Sequence, residues 1–159
     1  MEKIGIIDLG SNSARLVIVN MFTDGHYMVV DELKESVRLG QDMERDGFLK
    51  PQRVAETIKT LKMFKRLCDA SGVERIIAVA TAAVRRAKNQ RSFLDEIQAT
   101  CNLKIKVLSE EEEATLVYRH NLHPAVHLLL LREGSICKTS LLAILPFSPC
   151  RLATSIHLR

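Results

Sequence analysis

No stretch of this 159-residue chain approaches the roughly 20 consecutive apolar residues of a bilayer-crossing helix. The longest apolar runs, Val126 to Leu131 and Leu141 to Phe147, fall far short, so no membrane partner is expected. The opening MEKIGIIDLG lacks the long apolar core and small-residue cleavage site of a secretory leader, and a cytoplasmic location is the expectation. Cysteine is sparse. Cys68, Cys101, Cys137 and Cys150 form no CxxC or Cys/His ligand spacing and read as reduced thiols. Clustered positive charge is missing too: residues 1–118 hold 18 basic and 18 acidic side chains, which offers no footprint for DNA. The entire net charge of +4 falls on residues 119–159, where Arg119, Arg132, Lys138, Arg151 and Arg159 face the single acid Glu133.

What is present is enough apolar material, 47% of the chain, to bury a core in one domain. Lys3 to Ile7 and Leu16 to Met21 are rich in strand formers, and Asp24-Gly25 marks a turn into a third strand over His26 to Val37. Pro51 then opens a helix to about Ser71 whose Val54, Ile58, Leu61, Phe64 and Cys68 recur at helical spacing on one face, and Gly72 stops it. Glu74 to Ala80 is apolar throughout its centre, as a strand covered on both faces should be. Asn89 is placed to cap a helix that carries Phe93, Leu94, Ile97 and Cys101 inward. A fifth strand over Lys104 to Leu108 and a helix from Ser109 complete the order β-β-β-α-β-α-β-α, an α/β domain with a mixed sheet.

Three segments that follow strands carry chemistry, and each has a plain structural reading beside it. DLGSNSAR, residues 8–15, supplies the small polar residues of a hairpin turn. Gly10, Ser11, Asn12 and Ser13 equally provide amides and hydroxyls that wrap phosphoryl oxygens, with Arg15 to add charge-assisted bonds and Asp8 to hold a divalent cation. ATAAVRRAKN, residues 80–89, is either a short Ala-rich helix with Arg85 and Arg86 in solvent or a strand exit with one arginine clamping an anion. LSEEEEATLVY has the form of a capping box between Ser109 and Glu112. Its four adjacent carboxylates exceed what a cap requires, and one facing a cleft would suit general-base work. Ligands of open α/β sheets gather at the carboxyl ends of the strands, where all three segments fall.

Together, D-L-G-S-N-S-x-R-L at 8–16, A-T-A-A-V-R-R-A-x-N at 80–89 and V-L-S-x-E-E-E-A at 107–114 resemble the exopolyphosphatase and guanosine pentaphosphate phosphohydrolase family over about residues 3–118. The resemblance implies a ribonuclease H-like α/β lobe with a mixed five-stranded sheet, from the superfamily of actin, sugar kinases and heat-shock ATPases. It also implies hydrolysis of the terminal phosphoryl group of polyphosphate or guanosine pentaphosphate with Mg²⁺. Residue by residue, DLGSNSAR matches the first phosphate-binding loop with Asp8 near the metal. Arg85 matches the phosphate-binding arginine, and Glu113 matches the catalytic base, with Glu112 second to it.

The chain departs from the family pattern at two points. Glu110 stands where a glycine is usual, and no second phosphate loop of the form D-x-G-G-G-S follows Tyr118. Residues 119–159 instead hold four of the five histidines, one glycine, no aspartate and ten leucines without a sustained period, which reads as a frameshifted or replaced tail. His123 and His127 are four apart, but Pro124 lies between them and no acid is near, so a loosely structured surface is expected there rather than a metal site. The leucines at 128–131 are open to packing on the domain, to pairing in a homodimer or to aggregation. Two classes of function follow: a phosphoanhydride hydrolase, or a half-fold that binds phosphate or a partner without turnover.

Overall fold

Apolar β-formers on both sides of the first polar loop pair across it. In the computed structural model, which describes residues 1–24 and 26–118, β1 (Glu2–Leu9) turns back into β2 (Ser13–Met21), and Asp8 faces Arg15 across the ladder. β2 pairs antiparallel with β3 (Tyr27–Ser36), with a register shift at Ile18/Val19. On the other side β1 runs parallel to β4 (Arg75–Ala80), and β4 to β5 (Ile105–Val107). The sheet order is β3-β2-β1-β4-β5, the mixed five-stranded sheet expected from the element order.

Helix α1 (Pro51–Ala70) buries all five residues of the periodic stripe, together with Thr57, whose hydroxyl donates to the Arg53 carbonyl at 2.8 Å. Gly72 then takes a left-handed φ of 67°, which a Cβ would oppose. Helices α2 (Ala82–Arg86) and α3 (Gln90–Cys101) follow β4, and α4 (Glu110–Tyr118) follows β5. Strand alternation splits the core. Ile7, Leu9, Leu16 and Ile18 join the α1 residues Leu61 and Phe64 and the α3 residues Phe93 and Ile97, whereas Ile4, Ile6, Val17, Val19, Ile77, Val79 and Leu108 form a second cluster on the opposite face. Among the described residues no helix is long and apolar enough to cross a membrane. Cys68 and Cys101 are buried free thiols, and burial pushes the Cys68 thiol up to about 11.

The cap at Asn89 is a correction. Asn89 does precede α3, but its side chain makes no capping bond. It accepts from the Leu49 amide at 2.9 Å and donates to the Leu49 carbonyl at 3.1 Å. A carboxamide carries both a donor and an acceptor, and this one satisfies both backbone groups of a buried residue that sits outside any ladder. The Leu128–Leu131 run, His120, His123, His127, His157, Cys137 and Cys150 lie outside the described residues.

Gly5 sits where β1 passes under α1, and a Cβ there would lie 2.8 Å from Cys68 Sγ. Gly5→Ala is expected to cost about 1–3 kcal/mol by overpacking. Cys68→Ala in the same chain should recover most of that loss in urea unfolding. Simply additive losses in the double variant would show that the sulfur is not the obstacle.

Candidate active site

The loop between β1 and β2 is a hairpin, closed by the Gly10 amide donating to the Ser13 carbonyl at 3.0 Å. It is also fastened from outside. Asn12 O accepts from the amides of Val37 and Arg38 at 3.0 and 2.9 Å, and Ser11 O accepts from Gly40 at 2.9 Å. The side chains of Ser11, Asn12 and Ser13 make no hydrogen bond among the described residues, which leaves their polar atoms for a ligand. Thr81 N donates to Leu9 O at 3.2 Å, so the exits of β1 and β4 meet at one rim of the sheet.

Asp8 and Arg15 occupy neighbouring strands at that rim, on the face of the second core cluster. Burial raises the Asp8 carboxyl above its ordinary range, Arg15 pulls it back, and the charge of Glu113 raises it further. That influence ties the α4 acid to the first loop. Arg15 also reaches Glu32 of β3 at 3.4 Å. Arg85 is not in solvent. Its Nη1 donates to Leu108 O at 2.9 Å and to Glu113 Oε2 at 2.8 Å, and its Nη2 lies 3.5 Å from Glu110 Oε1. Glu110 therefore shares Arg85 with Glu113 and the Leu108 carbonyl.

A carboxyl whose native pKa lies above the unfolded value binds its proton more tightly when folded. Its ionisation therefore costs stability as pH rises from 3.8 through the native value, and the full cost is present at neutral pH. Asp8→Asn is accordingly expected to be more stable than the parent chain at pH 7. That advantage should shrink as the pH falls to about 4, as read by urea midpoints. A variant less stable than the parent at pH 7 would contradict this.

Glu112 is engaged elsewhere. Its Oε2 accepts from the Ser109 amide at 2.9 Å, its own amide donates to Ser109 Oγ at 3.1 Å, and Lys106 Nζ lies 2.6 Å from its Oε1. The capping box is formed, and the Lys106 bond, followed by the Ser109 amide, holds the Glu112 carboxyl below its ordinary range.

The candidates thus divide about one hairpin. Asp8, Arg15, Arg85 and Glu113 gather on one side, whereas Ser11 and Asn12 line a cavity of about 720 Å³ with Ser36, Arg38, Gly40, Ala83 and Arg86. The sequence leaves Arg38 unmarked and offers Arg86 only as one of two adjacent arginines. The signal available for Arg38 was VRLG at a strand end, an arginine two places before a glycine. That glycine has its reason: a Cβ at Gly40 would stand 3.3 Å from Ser11 Cβ and 3.5 Å from Ala83 Cβ. A second cavity of about 740 Å³, at the β4–β5 edge, holds none of the candidate residues. Among the described residues no group of three or more His, Cys, Asp or Glu could hold a metal ion.

The model of the Ppx/GppA phosphatase family matches residues 17–130. The chain is 27% identical over 116 residues to exopolyphosphatase 1 of Mycobacterium tuberculosis, covering 73% of this chain and 34% of that protein. The crystal structure of the Aquifex aeolicus member of the Ppx/GppA family superposes with a TM-score of 0.69 at 38% identity, over 74% of this chain and 38% of that one. An exopolyphosphatase from Cytophaga hutchinsonii gives 0.69 at 30% identity, over 72% and 36%. The chain spans about a third of the length of these relatives. The matched sequence and the shared actin-like sheet together establish that this chain belongs to the Ppx/GppA phosphatase family.

Proposed function

We propose that this chain carries the phosphate-gripping and water-activating groups of a hydrolase that releases orthophosphate from the end of inorganic polyphosphate or from guanosine pentaphosphate. The observation that carries the reading is the 2.8 Å contact between Arg85 and Glu113, from segments 28 residues apart, beside Asp8 at the loop end of β1. Family membership and the exopolyphosphatase relatives support the substrate class.

In the proposed reaction Glu113 Oε2 is held by Arg85 and Oε1 faces a water, takes its proton and aims its oxygen at the terminal phosphorus. The bridging P–O bond breaks, and the proton passes from Glu113 to the departing phosphate chain. The hydroxyls and carboxamide of Ser11, Asn12 and Ser13, with the amides of Gly10 to Ser13, take up phosphoryl oxygens, and Arg15 and Arg85 offset their charge. Asp8 fits Mg²⁺, which commonly binds through one or two carboxylates plus substrate phosphate; a carboxyl whose ionisation is opposed by burial and by Glu113 gains most from a cation. Bound there, Mg²⁺ would neutralise phosphoryl charge. A cytoplasmic location is part of the same proposal.

The matched residues cover about a third of these relatives, and a second reading is a lobe that binds the phosphate chain without turning it over. The two separate in one experiment. Orthophosphate release is followed from long-chain polyphosphate and from guanosine pentaphosphate with Mg²⁺, and binding is measured beside it. Release identifies the hydrolase and its preferred substrate; binding without release identifies the binding lobe; neither defeats both.

A further inference from the structure

We propose that Arg38 and Arg86 form a second anion subsite, which holds the phosphate next to the reacting one in a linear phosphoanhydride chain. This rests on the function proposed above and assigns two residues to it. Both arginines line the 720 Å³ cavity that opens on Ser11 and Asn12, and no aspartate or glutamate lines it. Neither arginine has an acidic partner within ion-pair distance among the described residues. Arg86 Nε makes one long bond to the Ala82 carbonyl at 3.4 Å. Arg38 contributes least among the influences that lower the Glu56 carboxyl, whose first partner is Arg53. The cavity at the β4–β5 edge is mixed in charge instead: Lys65, Lys104 and Lys106 line it beside Asp69 and Glu74, with Lys65 paired to Asp69 and Lys106 to Glu112.

The backbone at Arg38 points the same way. Its φ of 47° is left-handed, a conformation that costs a residue with a Cβ about 1–2 kcal/mol. Its amide is bound to Asn12 O, so this strained residue is fastened directly to the phosphate loop. The hairpin belongs to both places. Asp8 stands at its base with Glu113, and the arginine-lined cavity opens on its tip, so a linear run of phosphates crossing the loop meets both.

The test measures binding by calorimetry with Mg²⁺ in the Glu113→Gln background, so that turnover does not consume the ligand. Orthophosphate, tripolyphosphate and guanosine pentaphosphate are compared in that chain and in chains that also carry Arg86→Gln or Arg38→Gly; glycine keeps the left-handed φ while removing the charged side chain. Each added substitution is expected to weaken tripolyphosphate binding about tenfold and orthophosphate binding less than twofold. Arg86→Lys should recover part of the loss. A matching loss for guanosine pentaphosphate assigns the subsite to phosphates shared by both ligands, and a loss for tripolyphosphate alone assigns it to inorganic chains. Unchanged tripolyphosphate affinity in folded variants, equal losses for orthophosphate and tripolyphosphate, or no tripolyphosphate binding by the Glu113→Gln chain would overturn the proposal. Intact selective binding with no orthophosphate release from the parent chain would strike the hydrolase reading alone.

Discussion

Glu113→Gln is expected to lower orthophosphate release from polyphosphate by about 10²–10⁴-fold, the usual worth of a positioned proton acceptor. The carboxamide oxygen can still accept from Arg85 Nη1, so the arginine keeps a partner and α4 keeps its contact with the β4 exit. The ability to take a proton from water is lost. Stability should change by about 1 kcal/mol or less, because the ion pair is partly exposed. The KM for polyphosphate should move little, since the groups proposed to grip phosphate are untouched. Glu112→Gln is the matched control: it weakens the cap and the Lys106 pair but leaves turnover within a few-fold. Equal rates for Glu113→Gln and the parent chain, or the large loss appearing at Glu112 instead, would remove Glu113 from the chemistry.

Phe64→Ala is expected to produce the largest loss of stability, about 3–5 kcal/mol, from lost burial and the void left behind. Phe64 is fully buried in the first core cluster, between the sheet and α3. A typical domain holds only about 5–15 kcal/mol in total, so the variant should unfold at a much lower urea midpoint with its m-value unchanged. Met63, the preceding residue on α1, is 41% exposed, and Met63→Ala should stay within about 0.5 kcal/mol. A Phe64→Ala loss below about 1 kcal/mol would show that the helix does not pack as described.

The sheet and α1 were legible because single, local rules decide them. Helical spacing names the buried face of α1, and the nearly continuous apolar run of β4 announces a strand covered on both sides. The site was only partly legible. Adjacent arginines, such as Arg85 and Arg86, differ by about 100° around a helix, and nothing local says which turns toward Leu108 and Glu113. That choice depends on β5 placing α4 beside α2. Asn89 differs for a related reason: its chemistry suits a cap, but the buried backbone amide and carbonyl of Leu49, 40 residues earlier and outside any ladder, make the better partner. Arg38 was passed over because its meaning lies in a left-handed φ and a bond to Asn12, neither of which a sequence displays.

Three amides from residues 37–40 grip the carbonyls of Ser11 and Asn12. The hairpin tip has therefore surrendered its freedom during folding, before any anion arrives. Capture of a phosphate then requires little further ordering of the backbone, and the affinity is left to charge and lost hydration. Pushing the 37–40 strap away with a side chain at Gly40 would loosen that grip without deleting one of the groups that make it.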